Sequence, residues 1–196
     1  VVGVDVDDTV CNLIGGWIPA INRDFGLNVR LDQITEWLLA DCTPELKAIG
    51  DDRLAEYFGK PGFHLNLDPM PGAIESLRRL SKDYRLYFIT ARHGPLAISE
   101  TFDWFKKHLR WVQHKQIIFA REKHIFQLDA AIDDKLDHLK GFRMAPHLAQ
   151  AKVLGVERPH NLRERTPDVA HFWFEPSVTG WNAAVDYLYT NVHPKE

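Results

Sequence analysis

The chain opens on a nearly unbroken β-branched run, Val1 to Val6, with no alternation of apolar and polar positions. Such a run predicts a strand covered on both faces, as in a parallel sheet. Val10, Leu13, Ile14, Trp17, Ile18 and Ile21 then recur at helical spacing and predict a helix within Thr9 to Phe25. Residues 31–58 predict short amphipathic helical pieces separated by "DCTPE" and "IGDD", with acidic start signals before each. Pro71-Gly72 opens a further helix through Leu80. Beyond it the pattern predicts a buried strand "YRLYFIT" (84–90), a helix from Pro95 to Leu109, and a third strand "QIIFA". A fourth strand, "LDAAIDD", ends at Asp133 and Asp134; "AHFWFE" (170–175) predicts a fifth, and a helix around Trp181 to Tyr189 closes the chain.

Strand and helix alternating in this way predict an α/β protein with a parallel sheet flanked by helices. The helical pieces interrupt the alternation early, so the expected division is a core of residues 1–16 and 68–196 with a small helical cap, 17–67, inserted after the first strand and helix. A chain of 196 residues is long enough for one core and such an insertion.

Composition narrows the partners. With 45% hydrophobic and 26% charged residues the chain reads as an ordinary soluble globular protein, and a formal net charge of −3 offers no basic surplus for long nucleic acid or anionic membrane. Two cysteines, Cys11 and Cys42, without C-x-x-C spacing point to a reducing, cytoplasmic setting. Residues 1–10 read as a strand, not a signal sequence, and no apolar run approaches a membrane span.

In open parallel sheets, ligands bind beyond the carboxyl ends of the strands. Three predicted strands end on polar groups: Asp5, Asp7 and Asp8 after the first, Thr90 and Arg92 after the second, Asp133 and Asp134 after the fourth. Asp5 and Asp7 are two apart and share a side in extended backbone. Converging carboxylates repel unless a cation joins them, and a hard divalent ion with oxygen ligands, Mg²⁺ above all, meets that need while leaving room for a phosphate oxygen. Each residue alone has a plainer reading. Asp7 or Asp8 would cap the following helix, Thr90 would be a strand-end turn residue, and Lys123 a solvated surface lysine. Their joint order favours a site.

"DVDDTV", then "FITAR", then a lysine before "AIDD" resembles the motif series of the haloacid dehalogenase-type phosphatases. Within that superfamily, "FHLNLDPMPGAIESLRRL", "LYFITAR", "IIFAREKHIF" and "DAAIDDKLDHL" are similar to the 5'(3')-deoxyribonucleotidase family. The resemblance covers roughly residues 1–140 and fades after Gly141. It implies a Rossmann-like core of the haloacid dehalogenase type and a magnesium-dependent phosphatase. Asp5 would be the nucleophile that forms an aspartyl-phosphate, and Asp7 the acid and base. Mg²⁺ would be held by Asp5, Asp134 and the backbone carbonyl of Asp7, with Asp133 positioning the metal site. Thr90, Lys123 and Arg121 would bind phosphate. The implied partner is a small phosphate monoester, above all a nucleoside monophosphate, handled by a monomer or homodimer.

Trp37, Phe63 and His64 are the candidates to border a nucleobase from the cap, with packing inside the cap an equal alternative for Trp37. The sequence departs from the family in three places. Thr101 stands where a second phosphate lysine is common, leaving Lys106 and Lys107 as weaker candidates; Asp8 stands where glycine is frequent; and Leu13 replaces a usual aromatic residue. Rival readings are a phosphatase for sugar phosphates or polynucleotide 3' ends, or a catalytically silent phosphometabolite-binding module.

Overall fold

A computed structural model describes residues 1–194 of the chain. In chain order, β1 (Val2–Val4) leads to α1 (Leu13–Phe25), α2 (Pro44–Ile49), α3 (Asp51–Ala55) and α4 (Ala73–Leu80). Then follow β2 (Leu86–Thr90), α5 (Pro95–His108), β3 (Ile117–Phe119), β4 (Ala130–Asp133), α6 (Leu136–Met144), β5 (Lys152–Val156), β6 (Phe172–Phe174) and α7 (Val178–Asn191). The six strands pair in parallel, in the order β3-β2-β1-β4-β5-β6. The chain therefore has the α/β fold that the alternation predicts.

β1 is central. Val4 stands between Phe88 of β2 and Ile132 of β4, so the carboxyl ends of these three strands lie side by side. Alternate residues enter different cores, as strand geometry requires. Val4, Phe88 and Ile132 pack with Trp104 of α5 and Trp181 of α7, whereas Ile89, Ala131 and Val153 pack with Leu139 and Phe142 of α6. A third buried cluster, including Trp17, Ile21, Leu46, Leu54 and Tyr57, belongs to the insertion. α1 is continuous across residues 16 and 17, so it serves both bodies: Leu13 packs on the first core and Ile14 on the insertion's cluster.

Two expectations change. The helix starts at Leu13 instead of Thr9: Asn12 caps it by accepting from the Gly15 N–H, while Asp8, at φ 54°, turns the chain beforehand. The sequence predicts five strands; the sixth is β5, inside a segment that offered no element. Its apolar signal is only Val153, Leu154 and Val156, broken by Gly155. That glycine is required by close approach, since a Cβ there would stand 2.4 Å from the Trp173 ring on β6. Among the described residues, no helix is long and apolar enough to cross a membrane.

Candidate active site

The neighbouring ends of β1, β2 and β4 gather most of the predicted polar residues. Asp5, Asp133 and Asp134, all buried, bring one carboxylate oxygen each within 4.8 Å of one another. Lys123, from the short turn after β3, is 2% exposed; its Nζ donates to Asp5 and, at 2.9 Å, to Asp133. Asp133 is further engaged by the Lys135 N–H at 2.9 Å and by His138 Nδ1 at 3.2 Å. Asp134 is left freer: His160 Nε2 lies 3.3 Å from its carboxylate without hydrogen-bond geometry, and Asn161 Nδ2 donates to its backbone carbonyl at 2.7 Å.

The Asp7 side chain stands outside this trio. It is gripped by Arg92, whose Nη2 and Nε donate at 2.6 and 3.1 Å, and Thr90 Oγ1 donates to it at 3.4 Å. Arg92 is buried and also donates to Thr101 Oγ1 at 3.0 Å. A guanidinium thus stands beside the threonine that replaces the family's usual lysine. Lys106 and Lys107 are exposed near the far end of α5 and do not line the cavity.

Burial sets the electrostatics. It pushes the Asp5 carboxyl well above the ordinary range, with Lys123 opposing and Asp133 and Asp134 adding to the rise. Asp134 is pushed up to about 7 by burial and by Asp133. Burial works against ionisation of Asp7 as well, yet the Arg92 charge and hydrogen bonds outweigh it and hold that carboxyl low. Lys123, despite burial, is held firmly protonated by Asp133 and Asp5. One ammonium among three buried carboxylates leaves an excess of negative charge in a dry place, and an all-oxygen donor set of this kind fits a hard divalent cation.

These groups line one end of a cavity of about 550 Å³. Arg121 lies on its wall, exposed and without a hydrogen-bond partner among the described residues. Trp37, Phe58 and His64 line it from the insertion. Trp37 is 53% exposed, with Lys135 Nζ 4.3 Å from its ring centroid and His160 edge-on at 5.4 Å. Phe63 does not line the cavity. It packs against Tyr57, Phe58 and His64 as part of the insertion's own core, because the chain turns there and only one of two adjacent side chains can face inward.

Sequence reasoning overlooked several groups. Glu100 of α5, 6% exposed, accepts backbone N–H groups of Gly62, His64 and Leu65 and so pins the returning end of the insertion to the core. Glu100→Ala would strand those donors, and we expect a loss of about 2–3 kcal/mol in chemical denaturation together with a raised KM, the Gln variant being milder. Arg158, His160 and Asn161 follow β5. Arg158 Nη2 donates to Asp8 at 3.0 Å, which ties the residue replacing the usual glycine to the far half of the sheet. The available signal was their place after "KVLGV", since polar residues beyond a short apolar run obey the same strand-end rule as Asp5.

Comparison with known proteins finds relatives over most of the chain. A family model described as 5' nucleotidase, deoxy (pyrimidine), cytosolic type C protein matches residues 1–177. The human cytosolic-type 5'(3')-deoxyribonucleotidase is 28% identical over 152 residues, covering 73% of this chain and 74% of its own. The 5'(3')-deoxyribonucleotidase of Clostridium acetobutylicum is 25% identical over 173 residues, covering 88% and 90%. A haloacid dehalogenase-like family hydrolase from Streptococcus pneumoniae superposes with a TM-score of 0.61 at 16% identity, covering 93% and 96%; this likeness is one of fold.

Proposed function

The chain belongs to the family of 5' nucleotidase, deoxy (pyrimidine), cytosolic type C proteins and is a phosphate monoester hydrolase of the haloacid dehalogenase superfamily; from that premise we propose that it releases phosphate from 5'- or 3'-(deoxy)nucleoside monophosphates through an aspartyl-phosphate on Asp5. The observation that carries the reading is a cavity of about 550 Å³ that is polar and charged around Asp5 and Lys123 and aromatic at Trp37 and Phe58. That volume and polarity suit one nucleotide, phosphate inward.

In this reading an Asp5 carboxylate oxygen attacks phosphorus as the ester P–O bond breaks. Asp7 gives a proton to the departing oxygen, then takes one from the water that attacks the phosphorylated Asp5, which regenerates the carboxylate and frees inorganic phosphate. The Arg92 grip holds Asp7 ionised in the absence of substrate. An arriving phosphate dianion raises its proton affinity by like-charge repulsion, so the same carboxyl can serve as acid and then as base. Lys123, with Arg121 at the wall, balances charge on the transferring group, and Thr90 donates a hydrogen bond to it. Asp5, Asp134 and the Asp7 carbonyl would hold Mg²⁺, oriented by Asp133, and the bound ion would supply charge neutralisation between nucleophile and phosphate. The insertion acts as a cap that excludes water.

The cap's charge bears on substrate size. Between Leu31 and Phe58 it carries seven acids and two bases, a net of −5, and all seven acids are exposed. A polynucleotide would meet repulsion at successive phosphates, whereas a mononucleotide presents one. We expect kcat/KM for free nucleoside monophosphates to exceed that for 3'-phosphorylated oligonucleotides by roughly tenfold or more, with little salt dependence. Faster cleavage of the oligonucleotide, falling steeply with salt, would replace the mononucleotidase reading with a polynucleotide 3'-phosphatase.

A further inference from the structure

His64 is 3% exposed and lines the catalytic cavity, and among the described residues neither of its ring nitrogens has a hydrogen-bond partner. The Phe58 backbone lies close enough to the ring to favour its protonated form, but no contact there meets hydrogen-bond geometry. The ring is not free to turn away. Its backbone N–H is held by Glu100 at 3.0 Å, one face stacks on Phe58 at 5.9 Å and 18°, and Phe63 meets it edge-on at 5.2 Å. A buried imidazole with unpaired nitrogens costs stability that an apolar ring in the same aromatic slot would not. Its place at the cavity wall points to a ligand that completes it.

Location and protonation state identify the part of the ligand. Glu100 holds the His64 backbone, and the next residue of α5, Thr101, accepts from the Arg92 that grips Asp7, so His64 lines the cavity on the side of Arg92 and Asp7, where the departing oxygen is protonated, and is not part of the carboxylate trio. Burial and the Arg92 charge push its pKa down to about 4, which makes the ring neutral near neutral pH. A neutral imidazole offers one donor and one acceptor, which suits a hydroxyl or ether oxygen better than a phosphate dianion. We propose that His64 is a specificity-determining residue whose ring hydrogen-bonds to an oxygen on the alcohol half of the substrate, the sugar of a nucleoside monophosphate. The inference rests on the nucleotidase reading and adds that the enzyme selects leaving groups bearing a second oxygen near the scissile bond.

The test compares a nucleoside monophosphate with phenyl phosphate, whose leaving group has no second oxygen. His64→Phe should lose about tenfold to a hundredfold in kcat/KM on the nucleotide, and that loss should exceed its loss on phenyl phosphate by at least about tenfold. His64→Asn or His64→Gln, which keep a donor and an acceptor, should recover part of the nucleotide rate. His64→Met reads the same ratio should the Phe variant fail to fold. Equal proportional losses on both substrates would overturn the inference and leave the nucleotidase reading standing. Failure of the unaltered protein to cleave any nucleoside monophosphate while it cleaves phenyl phosphate would overturn both.

Discussion

Asp5→Asn is expected to lower kcat for every phosphate monoester by about 10⁴-fold or more while leaving the fold intact. An amide cannot replace the carboxylate as nucleophile, and of the neighbouring carboxylates Asp133 is committed to Lys123, His138 and the Lys135 N–H, while Asp134 would be taken up by the metal. Stability should move the other way. Burial raises the Asp5 carboxyl, and Asp133 and Asp134 raise it further, so the ionised form is disfavoured in the folded protein. Replacing it with a neutral side chain of the same shape removes that cost, and Tm should be unchanged or higher. Asp7→Asn separates the two carboxylates. It should impair turnover most for poor leaving groups, and it should lower Tm, since it strips the buried Arg92 guanidinium of its charged partner. Activity in Asp5→Asn equal to that of the parent would remove the proposed nucleophile.

Chelation of divalent metal is expected to abolish turnover, Mg²⁺ to restore it, and Ca²⁺ to bind while restoring little. Mg²⁺ takes oxygen ligands at about 2.0–2.1 Å in strict octahedral geometry, whereas Ca²⁺ accepts about 2.3–2.6 Å and more ligands, enough to misplace a nucleophile held by the same ion. The carboxylate trio predicts a second readout. A cation that binds only the folded protein at a hundred times its Kd adds about 2.7 kcal/mol, so the Tm of metal-free protein should rise by several degrees with Mg²⁺. Asp134→Asn should blunt that rise, because among the three carboxylates this one has the fewest competing partners. Undiminished turnover after thorough chelation, or a Tm indifferent to Mg²⁺, would dismiss the metal site.

The parts of the site that were legible from the residue pattern alone share one property: each lies at the end of its own apolar strand. Asp5 follows Val4, Thr90 ends β2, and Asp133 ends β4, so a rule about strand ends finds them without knowledge of their neighbours. Ordered motifs supplied Lys123 by resemblance. The short helical pieces within residues 31–58 were equally visible, since their periodicity is local. β5 was not, because five residues with a lysine and a glycine are too short to show a period, and the strand is stable only between β4 and β6. Arg158, His160 and Asn161 went unseen with it.

What the sequence determined by itself is therefore the α/β class, the run of short helical pieces between β1 and α4, and the identity of the carboxylates that reach the strand ends. Tertiary structure decided the pairings. Arg92 rather than a lysine grips Asp7, 85 residues away in the chain; Glu100 gathers three N–H groups 35 to 38 residues away; and His64, not its neighbour Phe63, faces the cavity. The physical reason is one of range. Backbone preference and hydrophobic period act over a few residues, whereas the partner of a buried charge or hydrogen-bonding group is chosen by sheet register and helix rotation, which exist only once the core has packed.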